Sequence, residues 1–317
     1  MSNNTTSPVL VEHDFREHKK IQLPIIDKYQ HFNKRKTEDM IECGRVLQFA
    51  EWRHLPTQVE ELKLEKMYTC KDRFCPFCNW RRARKLAIQS YDVLKAIQEA
   101  KAVRYIFATF TVKNCLIGDL SETIKAMNKG FEKMARSVRF KGSILGHSRI
   151  LEYPPQKDDP DFVHPHFHCL FVVPSNYFNT DLNLYIKQDE WQSMWKKSMR
   201  LDYDPSVDVR IIKAKGENDP IAKAVAEFAK YPLKSIDLDP LSIEQFQELT
   251  IQMHKKRAVA FGGIIKEYRK KLVLDDVEDG DLIYDDPEAS SEWVKICDYI
   301  YEFGNGAYGL DYYLKNT

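Results

Sequence analysis

The sequence HPHFHCLFVV, residues 164–173, decides the fold expected for the centre of this chain. Side chains on a β-strand alternate between its two faces, so His164, His166 and His168 are expected to point the same way from a strand that runs on to Val173. Packing gives no reason to place three imidazoles on one face, whereas neutral imidazole is a good ligand for Mn²⁺, Zn²⁺ and similar ions. We therefore predict a metal site on this strand; the alternative is that one or two of the three are core histidines with satisfied hydrogen bonds.

Two imidazoles do not complete a catalytic metal site, so a carboxylate from a neighbouring strand is expected. The segment SRILEY, residues 148–153, has the residue pattern of a strand, and its Glu152 is the natural candidate. The register of this strand with the histidine strand suggests an antiparallel pair. The alternative for Glu152 is an ordinary surface glutamate at the end of a strand.

The segments around these two strands predict the fold class. Between residues 105 and 230 the hydrophobic pattern changes between strand and helix periods in the order strand, helix, strand, strand, helix, strand, helix. This order predicts an α+β fold with a central, mainly antiparallel sheet and helices on one side. The expected divisions are a flexible arm (1–42), a cysteine-rich zinc-binding and basic helical segment (43–101), the sheet domain (102–245) and a helical C-terminal region with a basic and then an acidic segment (246–317).

The cysteines indicate a second metal site. Cys75 and Cys78 form a C-x-x-C pair, Cys70 precedes it, and Cys43 lies further upstream. Four thiolates would close a tetrahedral structural Zn²⁺ site. The fourth ligand is left open, since His54 could replace Cys43, and a redox pair is the alternative for the C-x-x-C motif.

Composition excludes several classes of protein. The 317 residues are 43% hydrophobic and 12% aromatic, enough for a folded core. No apolar run approaches the roughly 20 residues that span a bilayer, and the first residues lack a secretory pattern, so a cytoplasmic location without membrane association is expected. The net charge of +1 hides two basic stretches. Such stretches are usually solvated faces, but beside a metal-type motif they shift the expectation towards a polyanionic partner.

A candidate nucleophile lies further along the chain. In EFAKYPLK, residues 227–234, Glu227 and Tyr231 are one helical turn apart, with Lys230 and Lys234 nearby. A phenol can attack phosphorus when a metal polarises the phosphate and cations stabilise its charge. A carboxylate one turn away could activate a water molecule.

These motifs together resemble a known family. HPHFHCLFVV is similar to the metal motif of HUH endonucleases, FATFTV (107–112) to the strand motif that precedes it, and EFAKYPLK to the motif that carries the nucleophile. CKDRFCPFCNWRRARK (70–85) and the segment 261–283 resemble flanking segments of the same family. The resemblance covers roughly residues 43–283 and is to the replication initiators of small Gram-positive rolling-circle plasmids.

The resemblance implies an HUH nuclease fold and a metal-dependent nicking activity. His166 and His168, with His164 and Glu152 as further candidates, would hold Mg²⁺ or Mn²⁺ on the scissile phosphate at the plasmid's double-strand origin. Tyr231 would attack and stay joined to the 5′-phosphate, and Glu227 would hydrolyse DNA at termination. Basic residues would hold backbone phosphates; the candidates are Arg81, Arg82, Arg84, Lys85, Lys230 and Lys234.

Host helicase and polymerase are further candidate partners, with recruitment of a helicase left open by the sequence, and a homodimer is a further expectation. Three alternatives stay open from the sequence. One is a zinc-stabilised DNA-binding regulator without nuclease activity, in which the histidines hold another structural metal. The others are a transposase or a relaxase with HUH chemistry, although relaxases usually place their tyrosine near the N-terminus, where only Tyr29 is found here.

Overall fold

The computed structural model describes residues 8–212, 220–228, 238–283, 292–304 and 307–315. Nine α-helices and eleven strands are formed within these ranges. In chain order they are α1 Pro8–Gln30, α2 Lys34–Glu42, β1 Val46–His54, β2 Glu60–Met67, α3 Pro76–Ala100, β3 Val103–Thr111, β4 Cys115–Leu116, α4 Leu120–Arg136, α5 Val138–Ser143, β5 Gly146–Glu152, β6 Phe162–Val163, β7 His166–Pro174, α6 Gln188–Met199, β8 Val207–Ile211, α7 Pro220–Phe228, α8 Ile243–Gln252, β9 Val259–Gly263, α9 Ile264–Lys271, β10 Trp293–Gly304 and β11 Ala307–Lys315.

The chain folds into two compact units. The terminal unit contains residues 1–82 and 279–317, and the central unit contains residues 83–278. Helix α3 belongs to both, because the boundary falls between Arg82 and Ala83. The predicted α+β class with antiparallel sheets and flanking helices is confirmed.

The central unit is built on a five-stranded sheet in the order β8-β3-β7-β5-β9, and all neighbouring strands are antiparallel. The histidine strand β7 is the middle strand. From His166 to Val173 only His168 is more than slightly exposed, so β7 is covered on both faces. This is why its sequence reads as a continuous apolar run after the histidines and not as an alternation of apolar and polar residues.

Helices pack on both faces of this sheet, which corrects the expectation of helices on one side. On one face Leu170 and Val172 pack with buried residues of α3, α7 and α9 in a single core. On the other face the Phe171 ring stacks on Trp191 of α6 at 5.2 Å, and the Phe167 ring meets Phe131 of α4 edge to face at 5.9 Å. The large aromatic residues of α4 and α6 supply this second layer.

The terminal unit contains a four-stranded antiparallel sheet in the order β11-β10-β1-β2. Helix α1 packs against it: the Phe15 ring contacts Phe49 of β1 edge to face at 5.5 Å. Ile25 and Tyr29 of α1 are fully buried. Residues 8–42 are therefore two helices, and the expectation of a flexible arm is wrong for them because apolar side chains at helical spacing are buried.

Two further segments differ from the sequence-based division. The region 43–101, expected to be helical, contains strands β1 and β2 before α3. The region 246–317, also expected to be helical, places β9 in the central sheet and β10 and β11 in the terminal sheet. A strand such as β10 forms only where a neighbouring strand can pair with its backbone N–H and C=O groups. One such neighbour of β10 is β1, which lies some 250 residues earlier in the chain, so the local sequence does not reveal the pairing. Among the described residues no helix is both long and apolar enough to cross a membrane.

Candidate metal centres

The register of two neighbouring strands brings the predicted metal ligands together. Glu152 of β5 lies directly opposite His166 of β7, and His168 follows two residues later on the same face of β7. Residues paired in this way across an antiparallel sheet lie on the same side of it. The carboxylate expected from a neighbouring strand is therefore adjacent to the histidine pair.

The three ligand atoms form a compact triangle. The Nε2 atoms of His166 and His168 are 3.1 Å apart, and Oε2 of Glu152 lies 3.1 Å from Nε2 of His168 and 3.3 Å from Nε2 of His166. Metal–ligand bonds of about 2.1 Å at right angles would separate ligand atoms by about 3.0 Å, and at tetrahedral angles by about 3.4 Å. The triangle thus has the size at which all three atoms can bind one divalent ion.

Hydrogen bonds orient the imidazole rings for this role. Nδ1 of His166 lies 2.9 Å from the carbonyl oxygen of His164. Because a carbonyl can only accept, Nδ1 carries the proton and Nε2 presents its lone pair to the triangle. Nδ1 of His168 lies 3.1 Å from Oγ1 of Thr109 on β3, which can accept the second Nδ1 proton. Such outer contacts are what orients metal-binding histidines in general.

The triangle is charged and open on one side. Burial raises the pKa of Glu152, but its close contacts with the imidazoles of His166 and His168 outweigh burial and lower that pKa to about 2. The side chains of Glu152 and His168 keep 23% and 24% of their surface exposed, against 10% for His166. An ion held here would keep coordination positions open to a substrate, as catalytic sites require and structural sites do not.

His164 is not part of this triangle, although its ring centre lies 5.1 Å from that of His166, so a ligand role for His164 stays a prediction. Strand β7 begins at His166, and His164 precedes it in the connection from β6. Its Nδ1 is hydrogen bonded to Oδ1 of Asn114 at 2.7 Å. The alternation of a strand does not extend to His164 because Pro165 separates it from the paired residues of β7.

Helix α7 lies on the same face of the sheet as the triangle. Its buried residues Ile221, Ala224 and Phe228 share a core with Leu170, which points from β7 to the same side as His166 and His168. The backbone of Glu227 belongs to α7. The Glu227 side chain, Lys230, Tyr231 and Lys234 lie outside the described residues, so their predicted roles stay predictions.

The four predicted cysteine ligands meet in the terminal unit. Sγ of Cys43 lies 3.8 Å from Sγ of Cys75 and 3.5 Å from Sγ of Cys78, and Sγ of Cys70 lies 3.7 Å from Sγ of Cys78. Tetrahedral zinc with bonds of about 2.3 Å separates its sulfur ligands by about 3.8 Å. All four sulfurs are within 4.8 Å of one another, so the arrangement matches that of a Cys₄ zinc site.

Local structure explains how this site forms. Cys43 ends α2, Cys70 follows β2, and Cys75 and Cys78 stand at the start of α3. Hydrogen bonds from the other thiols lower the pKa of Cys43 far below its usual value, while the hydrogen bond with Cys43 raises that of Cys70. Several thiolates at this spacing would repel one another, and a divalent cation would remove that repulsion.

The structure shows whether Cys43 or His54 joins Cys70, Cys75 and Cys78, a choice that the sequence leaves open. His54 lies at the end of β1, where its Nδ1 contacts Oγ1 of Thr57 at 2.7 Å and its Nε2 contacts Glu292 at 3.2 Å. Cys43, by contrast, is fully buried among the other three cysteines. Cys43 is therefore the residue that completes the set.

Three of the four basic residues predicted to hold DNA along α3 are buried. Arg81 and Arg82 are each 4% exposed and Lys85 is 1% exposed, whereas Arg84 is exposed. The Lys85 ammonium pairs with the carboxylate of Asp275 at 2.7 Å. The guanidinium groups donate to the carbonyl oxygens of Leu282 (from Arg81) and of Lys71 and Asp72 (from Arg82). The prediction that Arg81, Arg82 and Lys85 contact DNA is wrong because these cations satisfy buried acceptors.

Sequence analysis did not identify the residues that hydrogen bond to the candidate metal ligands and orient them. Thr109 contacts His168 only because of the β3–β7 register, and no local pattern signals this contact. Lys19 and Gln22 of α1 are 3% and 0% exposed and contact the cysteine site. A helical wheel of α1 carries a signal for them, since both lie on the side of the helix that also presents Phe15 and Tyr29.

The chain is similar to known replication proteins over most of its length. A family model described as replication protein matches residues 61–310. The chain is 34% identical over 290 residues to a Streptococcus pneumoniae protein named Protein rep, covering 90% of this chain and 88% of that protein. It is 37% identical over 269 residues to a Protein rep of a Bacillus species (78% and 84%) and over 216 residues to a Staphylococcus aureus protein named Replication protein (66% and 91%). No solved structure matches the chain significantly.

Proposed function

Because the chain belongs to the Rep family of replication proteins, we propose that it initiates rolling-circle replication of a plasmid by nicking one strand of the double-strand origin. The observation that carries this proposal is the triangle of Glu152, His166 and His168, with ligand atoms 3.1–3.3 Å apart and two of the three side chains partly exposed. The packing of α7 on the same face supports Tyr231 as the nucleophile, because Tyr231 follows the end of α7 by three residues.

The triangle would hold Mg²⁺ or Mn²⁺, which would supply positive charge to polarise the scissile phosphate. Glu152 supplies the one negative charge of the set, and the Nδ1 contacts of the two imidazoles leave their Nε2 atoms facing the metal position. The hydrogen bonds of His166 and His168 keep both rings in place before DNA binds. The site is thus organised in advance for a phosphate group.

In the proposed reaction the oxygen of Tyr231 bonds to phosphorus as the bond from phosphorus to the 3′-oxygen breaks. Tyr231 loses its phenolic proton, the departing 3′-oxygen takes up a proton, and the 5′-phosphate remains on the protein. The freed 3′-hydroxyl would prime synthesis, and a later attack by a 3′-hydroxyl would religate the strand. Glu227, four residues before Tyr231, would activate the water that hydrolyses DNA at termination.

We further propose that Cys43, Cys70, Cys75 and Cys78 hold a structural Zn²⁺ ion. Four sulfur ligands at tetrahedral spacing leave no position for a substrate, in contrast to the open triangle. Arg84, Lys230 and Lys234 are the proposed contacts to the DNA backbone. The same proposal includes recruitment of host helicase and polymerase, dimerisation of the chain and action in the cytoplasm.

A covalent-adduct assay tests the nicking mechanism. The protein is mixed with Mn²⁺ and supercoiled plasmid or single strands that carry candidate origins, and SDS-resistant protein–DNA complexes are measured. The wild type and a Tyr185→Phe control, altered at an exposed tyrosine, are expected to form the adduct, while Tyr231→Phe and the double variant His166→Ala/His168→Ala are not. His164→Ala is expected to retain most of it.

Each outcome separates the candidates. An adduct that persists in Tyr231→Phe would show that another residue is the nucleophile. Full activity without the histidines would exclude the metal triangle from the reaction. If the purified chain instead binds two zinc ions tightly and gives no adduct, a DNA-binding regulator without nuclease activity is the better description. The choice between plasmid, transposon and conjugative substrates follows from which DNA is nicked.

A further inference from the structure

One side of helix α1 faces the cysteine site. Lys19, Gln22 and Tyr29 lie on this side of the helix, within about 80° of one another around its axis at 100° per residue. Each of the three contacts either a cysteine of the proposed zinc site or the loop that carries one. These contacts are not used by the nicking mechanism, and they connect α1 to the metal site through polar groups in a buried environment.

Lys19 holds the first cysteine through its backbone. Its ammonium group donates to the carbonyl oxygens of Cys43 and Ile41, both at 2.7 Å, and to that of Met40 at 3.5 Å. These carbonyls belong to the end of α2, where helical partners are missing. The Lys19 side chain is 3% exposed, so it delivers one positive charge to the buried surroundings of the thiols.

Gln22 and Tyr29 hold the other side of the site. Nε2 of Gln22, which is fully buried, donates to Sγ of Cys75 at 3.0 Å. The Tyr29 hydroxyl donates to Oδ1 of Asp72 at 3.0 Å, and the same oxygen accepts from the backbone N–H of Phe74 at 2.8 Å. Asp72 lies in the loop between Cys70 and Cys75, so α1 contacts Cys43, Cys75 and the loop that joins Cys70 to Cys75.

We propose that α1 positions the ligands of the zinc centre, with Lys19 holding the backbone of Cys43 and Gln22 holding the sulfur of Cys75. We further propose that docking of α1 and binding of zinc stabilise each other. The inference rests on the zinc site proposed above. A zinc ion with four thiolates carries two net negative charges, and buried charge of this kind needs nearby compensation. Lys19 provides one positive charge, and the Gln22 amide donates directly to a ligand sulfur.

Linkage makes the proposal quantitative. If docking of α1 raises zinc affinity by some factor, zinc must favour docking of α1 by the same factor. Removal of zinc should therefore open α1 to protease, and substitutions that weaken α1 docking should weaken zinc binding. The two effects can be measured independently on the full-length protein.

The first experiment measures zinc affinity by competition with a chromogenic chelator. Gln22→Met keeps the length of the side chain and Lys19→Met shortens it by one atom, and both remove its hydrogen bonds. Lys19→Met is expected to bind zinc about 10- to 100-fold more weakly than wild type, the range observed for outer-shell contacts, and Gln22→Met about 10-fold more weakly. Lys20→Met is the matched control, because Lys20 is the adjacent exposed lysine of the same helix; it should bind zinc like the wild type.

The second experiment measures tryptic cleavage between residues 16 and 30. In the wild type, chelation of zinc should increase cleavage there, because α1 docking then loses its coupling to bound zinc. In Lys19→Met cleavage should already be raised with zinc bound, and Lys19→Arg, which keeps the charge and the donors, should recover part of both effects. If Lys19→Met does not fold, Lys19→Arg and Gln22→Met decide the question.

Failure of the role of α1 can be distinguished from failure of the proposed zinc site. If Cys43→Ser loses one zinc per chain but Lys19→Met and Gln22→Met keep wild-type zinc affinity, the role of α1 is refuted and the zinc site stands. Unchanged cleavage of α1 on chelation would refute the linkage in the same way. If the wild type binds no zinc that depends on the cysteines, the zinc site and the outer-shell role are both refuted.

Discussion

The hydrogen bond from His168 to Thr109 provides a sharp test of the metal triangle. Oγ1 of Thr109 lies 3.1 Å from Nδ1 of His168, on the side of the ring away from Glu152. If Nε2 of His168 is a metal ligand, Nδ1 must carry the proton and Thr109 must accept it. Thr109→Val keeps the shape of the side chain and removes this acceptor.

The expected loss follows from the strength of one hydrogen bond. A neutral hydrogen bond contributes about 0.5–1.5 kcal/mol net, and His168 is partly exposed, so water replaces part of the lost contact. A loss near 1.4 kcal/mol corresponds to about a tenfold weaker affinity. We therefore expect Thr109→Val to weaken Mn²⁺ binding about 3- to 10-fold, at or below the lower end of the range of about 10- to 100-fold for changes to the partners of metal ligands.

The measurement is a titration in which free Mn²⁺ is followed by its electron paramagnetic resonance signal. Thr111→Val is the matched control, because Thr111 lies on the same face of the same strand but its hydroxyl donates to the carbonyl oxygen of Ser206 at 2.9 Å. The Mn²⁺ concentration needed for half-maximal nicking should rise by the same factor in Thr109→Val. Affinity within twofold of wild type, or an equal loss in Thr111→Val, would refute the proposed orientation of His168.

Three further predictions concern stability. Glu278→Ala should lower the free energy of unfolding in urea by about 3 kcal/mol, because the buried carboxylate accepts the backbone N–H groups of Ala258 and Val259, which would lose their acceptor; a loss below 1 kcal/mol would contradict this. Burial, and then the charge of Arg149, lowers the pKa of His147 from 6.5 to about 4. The unfolded chain therefore binds more protons between these values, and stability should fall by about 2.5 kcal/mol as pH drops from 6.5 to 4. His147→Leu should remove that part of the pH dependence, and an unchanged slope would refute the assignment. Chelation of zinc should lower the melting temperature of the wild type but not that of Cys43→Ser, as differential scanning calorimetry can show.

Much of the candidate chemistry could be predicted from local sequence patterns. The i, i+2 spacing of His166 and His168 places both on one face of any strand, and the structure has them on β7. The basic helix after the cysteines was expected from its three- and four-residue apolar spacing and is observed as α3. These inferences needed only the geometry of a single element, so they hold whatever the element packs against.

Predictions failed where they depended on what covers an element. The sequence predicts that Arg81, Arg82 and Lys85 of α3 contact DNA, but they are buried because carbonyl oxygens and Asp275 lie against them. Residues 8–42 were expected to be flexible because their polar composition hides a small apolar side, whose members Phe15 and Tyr29 are buried. Periodicity shows which side chains share a face, but it does not show whether that face meets water or protein.

The sequence by itself determined that this chain has an antiparallel α+β fold, a histidine pair on a strand and a cysteine set suited to zinc, because each depends on spacings within one or two neighbouring elements. Only the tertiary structure decided that Glu152 and not His164 joins the histidine pair, that Cys43 and not His54 joins the other cysteines, and that α1 contacts the cysteine site. Those contacts depend on strand register and helix docking. Both are set by the burial of apolar surface over the whole fold, and no short stretch of sequence contains that information.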